Sequence, residues 1–66
     1  MILTLNGRQE MIEKPVMLDK LVAAKGLCPE KIVVEHNLRI IAREDWSKIM
    51  IKDRDMIEII SFVGGG

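Results

Sequence analysis

The chain has one cysteine, so it cannot form a disulfide within itself, and a reducing compartment is the expectation. Aromatic residues are nearly missing, with one phenylalanine, one tryptophan and no tyrosine. Single-stranded nucleic acid is held by stacking bases on aromatic faces, so that function is disfavoured. Charge of one sign is missing as well. Ten Lys+Arg balance ten Asp+Glu, which leaves no global field to steer nucleic acid or an acidic membrane toward the chain. No apolar run approaches the ~20 residues of a membrane span, and no basic segment followed by an apolar stretch marks a signal peptide. Neither a nucleic-acid nor a membrane partner is expected, and the expected location is cytoplasmic.

The chain does carry a globular composition, 48% hydrophobic and 30% charged over 66 residues. That suits one domain near the lower size at which a single core holds without staples. Residues 1–6 are rich in strand formers, and Asn6-Gly7 is a hairpin turn signal because both residues tolerate positive φ. Residues 8–13 make a weaker, more polar edge strand, which Pro15 ends because proline cannot donate to a ladder. Leu3 and Leu5 are expected in the core.

From about Val16 the period changes. Leu18, Leu21, Val22 and Lys25 fall on one helical stripe, and the Lys25 stem can lie on apolar surface with its charge in water. Gly26 is placed as the left-handed residue after the helix, with Leu27 as the hydrophobic contact of a Schellman end. The predicted helix, about two and a half turns, is too short to stand alone and must pack on a sheet.

Residues 31–35 and 38–42 read as two short strands about a turn at Asn37. Arg43-Glu44-Asp45-Trp46 reads as irregular, with Trp46 at the core edge and its N–H near water. Ile49-Met50-Ile51 gives a short buried stretch, and Lys52-Asp53-Arg54-Asp55 a turn. Residues 56–63 form the longest and most apolar strand, which belongs in the middle of a sheet. Alternation puts Ile57 and Ile59 on the helix side. Ile60 and Phe62 then form an exposed apolar patch of the kind that docks a partner, unless a loop residue such as Trp46 covers them.

Four residues invite chemistry and are read as structural. Cys28 lacks a base at any defined spacing, and a plain small side chain fits its loop. His36 reads as a surface turn residue. Asp53 and Asp55 lack the further oxygen ligands of a calcium loop, so turn chemistry is preferred. No catalytic residue and no metal ligand is expected.

The chain closes on Gly64-Gly65-Gly66. Glycine has no Cβ and lets another backbone approach closely, and three extended residues reach about 10 Å. Such a tail could enter a channel too narrow for side chains and present its carboxylate inside another protein's active site. A frayed end of no function is the plain alternative.

Taken together, the Asn6-Gly7 hairpin, the short helix, Arg43-Glu44-Asp45-Trp46, Asp53-Arg54-Asp55-Met56-Ile57-Glu58-Ile59 and Phe62-Val63-Gly64-Gly65-Gly66 resemble the ThiS family of sulfur carriers in thiamine biosynthesis. The likeness spans essentially the whole chain, and its specific part is Asp-x-Asp-x-Ile-Glu-Ile followed by Val-Gly-Gly-Gly. Arg54 departs from the glycine that family members often carry there.

The resemblance implies an α+β, ubiquitin-like β-grasp fold. That is a mixed sheet of four to five strands with one short helix on one face and the first and last strands parallel. The β-grasp domain would be residues 1–63 and the flexible tail residues 64–66. It further implies a carrier, not an enzyme. A ThiF-like adenylyltransferase would use ATP to activate the Gly66 carboxylate, and a cysteine desulfurase or other donor would supply sulfur to make a thiocarboxylate. Thiazole synthase would then receive the sulfur. Gly64 and Gly65 would give steric clearance, Ile60 and Phe62 would dock the partner, and the carrier would bind no cofactor itself. Two other readings stay open. One is the small subunit of molybdopterin synthase, and the other is a β-grasp binding module or protein modifier.

Overall fold

The computed structural model describes residues 1–62. Alternating apolar residues build β1 (Ile2–Leu5), which turns at Asn6-Gly7 into β2 (Arg8–Met11). Both turn residues have positive φ, 51° and 79°, the requirement of a tight hairpin turn. Leu3 and Leu5 are buried as expected.

The chain does not enter its helix directly. Val16–Met17 forms β3, a short strand paired antiparallel with β6 (Met50–Ile51). A β-branched residue just after Pro15 favours extended backbone. The helix α1 spans Leu18–Ala24, shorter than its sequence pattern predicts. Its first amide, that of Leu18, donates to the Ile49 carbonyl at 2.8 Å. The ladder therefore satisfies a helix-end donor that no side chain caps.

The other end of α1 follows expectation. Gly26 has φ 71°, its amide donates to the Ala23 carbonyl, and the Leu27 amide donates to the Val22 carbonyl, the two bonds of a Schellman end. Leu18, Leu21 and Val22 face inward. Lys25 reaches Glu10 on β2 at 2.6 Å, a partly exposed pair of modest value.

A 3-10 turn at Pro29–Lys31 leads to β4 (Ile32–His36), which turns into β5 (Arg39–Ile41). Arg43–Lys48, expected to be irregular, is a 3-10 helix. It carries Trp46 into the core instead of leaving it at the wet edge. Trp46 is only 3% exposed, and its indole N–H donates to the Ile41 carbonyl at 3.0 Å. Burial of so large a side chain is stable when that donor is satisfied. Met50, in the stretch expected to be buried, is exposed, while Ile51 beside it is fully buried. Alternation within a strand divides the pair.

The last strand, β7 (Met56–Ser61), lies at the centre of a five-stranded sheet ordered β2-β1-β7-β4-β5. It runs parallel to β1 and antiparallel to β4. Helix α1, the 3-10 helix and the inner sheet face enclose one core that includes Leu3, Leu18, Val34, Trp46, Ile51 and Ile57. The outer sheet face is left uncovered within the described residues.

Candidate functional site

β7 and Phe62 just after it divide their side chains between the two faces. Ile57 is 1% exposed and Ile59 packs against the core, while Ile60 and Phe62 are 49% and 58% exposed on the opposite face. Trp46 does not cover them, because it sits under the inner face. Cross-strand partners share a face in antiparallel pairs. Val33 therefore joins Ile60, and Ile40 joins Glu35 and Glu58, on the outer side.

The chain leaving β7 is held firmly on one side. The Phe62 amide donates to the Lys31 carbonyl at 3.1 Å, continuing the pairing with β4. On the other side Asn6 takes over where β1 ends. Its amide donates to the Ile57 carbonyl at 2.9 Å, and its side-chain oxygen accepts the Ile59 amide at 2.7 Å. The glycines Gly64, Gly65 and Gly66 lie outside the described residues, as does Val63.

At its other end β7 is anchored by a polar cluster that sequence reasoning missed. His36 is not a free surface residue. Its Nε2 lies 2.8 Å from Asp55 Oδ2, with both side chains mostly shielded from solvent. The same oxygen accepts the Lys52 amide at 2.9 Å. The Asn37 side chain donates to the other Asp55 oxygen at 3.3 Å and accepts the Met56 amide at 2.9 Å. Two turns are thereby tied together. The only hint in the sequence was complementary polar chemistry at each turn, and nothing in spacing alone links residues 36 and 55.

Burial pushes the Asp55 carboxyl up. Hydrogen bonds from His36, the Lys52 amide and Asn37, with the charge of His36, more than offset it, so the carboxyl titrates below its ordinary value of 3.8. A carboxylate depressed on folding stabilises the fold fully above its unfolded value, and that contribution is lost as pH falls through the folded value. Asp55→Asn is therefore expected to cost on the order of 1 kcal/mol at neutral pH. Urea unfolding at a series of pH values should show the gap between variant and wild type closing below about pH 4. A gap that stays constant into acid would mean that Asp55 is not held as the anion.

No group of three or more potential metal-ligating side chains occurs among the described residues. Cys28 is free and exposed. No helix in the described residues is long and apolar enough to cross a membrane.

One helix gripped by a mixed sheet, with parallel first and last strands at its centre, defines a ubiquitin-like β-grasp domain. The chain belongs to the ThiS family, whose family model matches residues 3–66. It is 38% identical over 66 residues to the sulfur carrier protein ThiS of Bacillus subtilis, covering 98% of this chain and 100% of that one. It superposes on the crystal structure of the thiamine biosynthesis protein (ThiS) of Geobacter metallireducens with a TM-score of 0.87. There the identity is 30%, and 100% of each chain is covered. It is also 34% identical over 62 residues to a thiazole synthase of Magnetococcus marinus, where the match covers 94% of this chain and 19% of that longer protein.

Proposed function

We propose that this chain is the sulfur carrier for thiazole formation in thiamine biosynthesis. The observation that carries the reading is the end-to-end likeness to the Bacillus subtilis sulfur carrier, joined to a sequence that runs from the central strand into three glycines. The family model, which is for ThiS, favours this pathway over that of molybdopterin. Residues 1–63 would act as the rigid handle and residues 64–66 as the tail.

A carboxylate is a poor electrophile, so the Gly66 carboxylate first needs a leaving group. An oxygen of that carboxylate attacks the α-phosphorus of ATP in a partner adenylyltransferase, and pyrophosphate departs. The terminal sulfur of a persulfide on a cysteine desulfurase then attacks the acyl carbon and expels AMP, and a thiol reduces the resulting acyl disulfide to leave the thiocarboxylate. A donor of sulfide itself would give the thiocarboxylate directly. Thiazole synthase takes that sulfur. The carrier supplies the reacting carbon and a docking surface that includes Ile60 and Phe62. The partners supply the catalytic groups, and the carrier holds no cofactor.

Incubating the chain with its activating enzyme, ATP and a sulfur donor, then weighing it intact, tests this reading. The expected gain equals the exchange of one oxygen for sulfur and maps to the C-terminal peptide. No mass change in the presence of active partners would refute it.

A further inference from the structure

Two glutamates stand directly opposite each other on the uncovered sheet face. Glu35 on β4 and Glu58 on β7 are cross-strand partners, and like charges in that relation destabilise a sheet. Neither has an ion-pair partner among the described residues. Strand alternation makes them the charged side chains among the described outer-face positions of β1, β7, β4 and β5.

Their surroundings are apolar. A shallow groove of about 360 Å³ runs between them, with Leu38, Met56 and Ile60 among its walls. Ile40 stands across from Glu35 in the same row of the sheet, and Val33 pairs with Ile60 in the next. A pair of unneutralised carboxylates ringed by exposed hydrophobic side chains matches one kind of side chain closely. Arginine offers a planar cation whose five N–H donors can bridge two carboxylates, on a stem that packs against apolar surface.

Resting on the sulfur-carrier reading, we infer that the groove between Glu35 and Glu58 receives an arginine from thiazole synthase. Thiazole synthase is the favoured source because relatives of that name hold a region similar to this chain within one polypeptide, of which it makes up 19% and 20%. Ile60 in the groove wall and Phe62 beyond it supply the apolar contact, and the carboxylate pair sets orientation. Electrostatic complementarity of this kind fixes register and rejects wrong partners. The unfavourable pairing in the free carrier is relieved when the guanidinium arrives.

The test is a calorimetric titration of the carrier against thiazole synthase at low and high salt. Wild-type affinity is expected to fall as salt rises. The double variant Glu35→Gln, Glu58→Gln should bind at least ~10-fold more weakly at low salt and lose most of the salt dependence. It should melt no lower than wild type, because the repulsion has gone. Glu58→Arg should form its own pair with Glu35 and abolish binding with the fold intact. Wild-type affinity and salt dependence in the double Gln variant would overturn the inference and leave the carrier reading standing. Absence of any wild-type binding would remove both this inference and thiazole synthase as acceptor, while the mass gain on Gly66 tests sulfur loading separately.

Discussion

Removal of Gly66 is expected to abolish sulfur loading and leave the melting temperature unchanged. The shortened chain still ends in a carboxylate, so the chemistry is retained and only its position changes. One residue of extended chain is roughly 3.5 Å, and a reacting atom misplaced by about 1 Å can cost ~100-fold. A carboxylate that far from the α-phosphorus of ATP should give no detectable mass gain. Gly65→Val should be nearly as damaging with the carboxylate in place, since a β-branched side chain stiffens the tail and widens it. Core residues run from Leu3 to Ile57, so thermal unfolding should report the wild-type value for both variants. A Gly66 deletion that still gained sulfur would sink the carrier mechanism.

Aspartate at Ile57 in β7 and aspartate at Phe62 just beyond it should produce opposite kinds of damage. Ile57 is 1% exposed beneath the helix, whereas Phe62 is 58% exposed on the outer face. An unpaired carboxylate at position 57 costs several kcal/mol in desolvation. A domain this small has only about 3–5 kcal/mol to lose. Ile57→Asp should therefore lack a cooperative melting transition. Phe62→Asp should melt close to wild type and bind its partner enzymes at least ~10-fold more weakly, because a desolvated aromatic contact is replaced by a charge. Circular dichroism and a binding titration on both variants separate the outcomes. If Phe62→Asp unfolds the domain while Ile57→Asp does not, the faces of β7 have been assigned the wrong way round.

Local pattern made much of this fold legible. Strand-forming runs between turn signals identified most of the strands, alternation identified the two faces of β7, and the stripe Leu18, Leu21, Val22 identified the helix, with Gly26 marking its end. The parallel pairing of the first and last strands came from the family resemblance and is observed, but the other contacts between distant partners were not legible. β3 and β6 are too short to show a period, and each exists because the other lies beside it. Trp46 reads as an edge residue until the Ile41 carbonyl is found waiting for its indole N–H. His36 and Asp55 read as separate turn residues because only the antiparallel run of β4 against β7 brings them within hydrogen-bonding distance. Asn6 announced a turn but gave no sign that its side chain would also bond β7. On the outer face Ile60 and Phe62 were visible as an exposed apolar pair. The facing of Glu35 and Glu58 required the register.

The central place of β7 has a consequence for the order in which the protein is made. Synthesis runs from the N-terminus, so every other strand of the sheet emerges before the one that joins them. Until β7 arrives, β1 and β4 have no common neighbour, and the two hairpins, β1 with β2 and β4 with β5, remain separate pieces. Closing a contact between Thr4 and Met56 also requires ordering a long loop before any reward is collected, which slows folding. The strand that completes the sheet is the one that leads into the glycines. An incompletely folded chain would thus lack the outer face built by β4 and β7, and if that face docks the partner enzymes, as proposed, they would act on folded molecules alone.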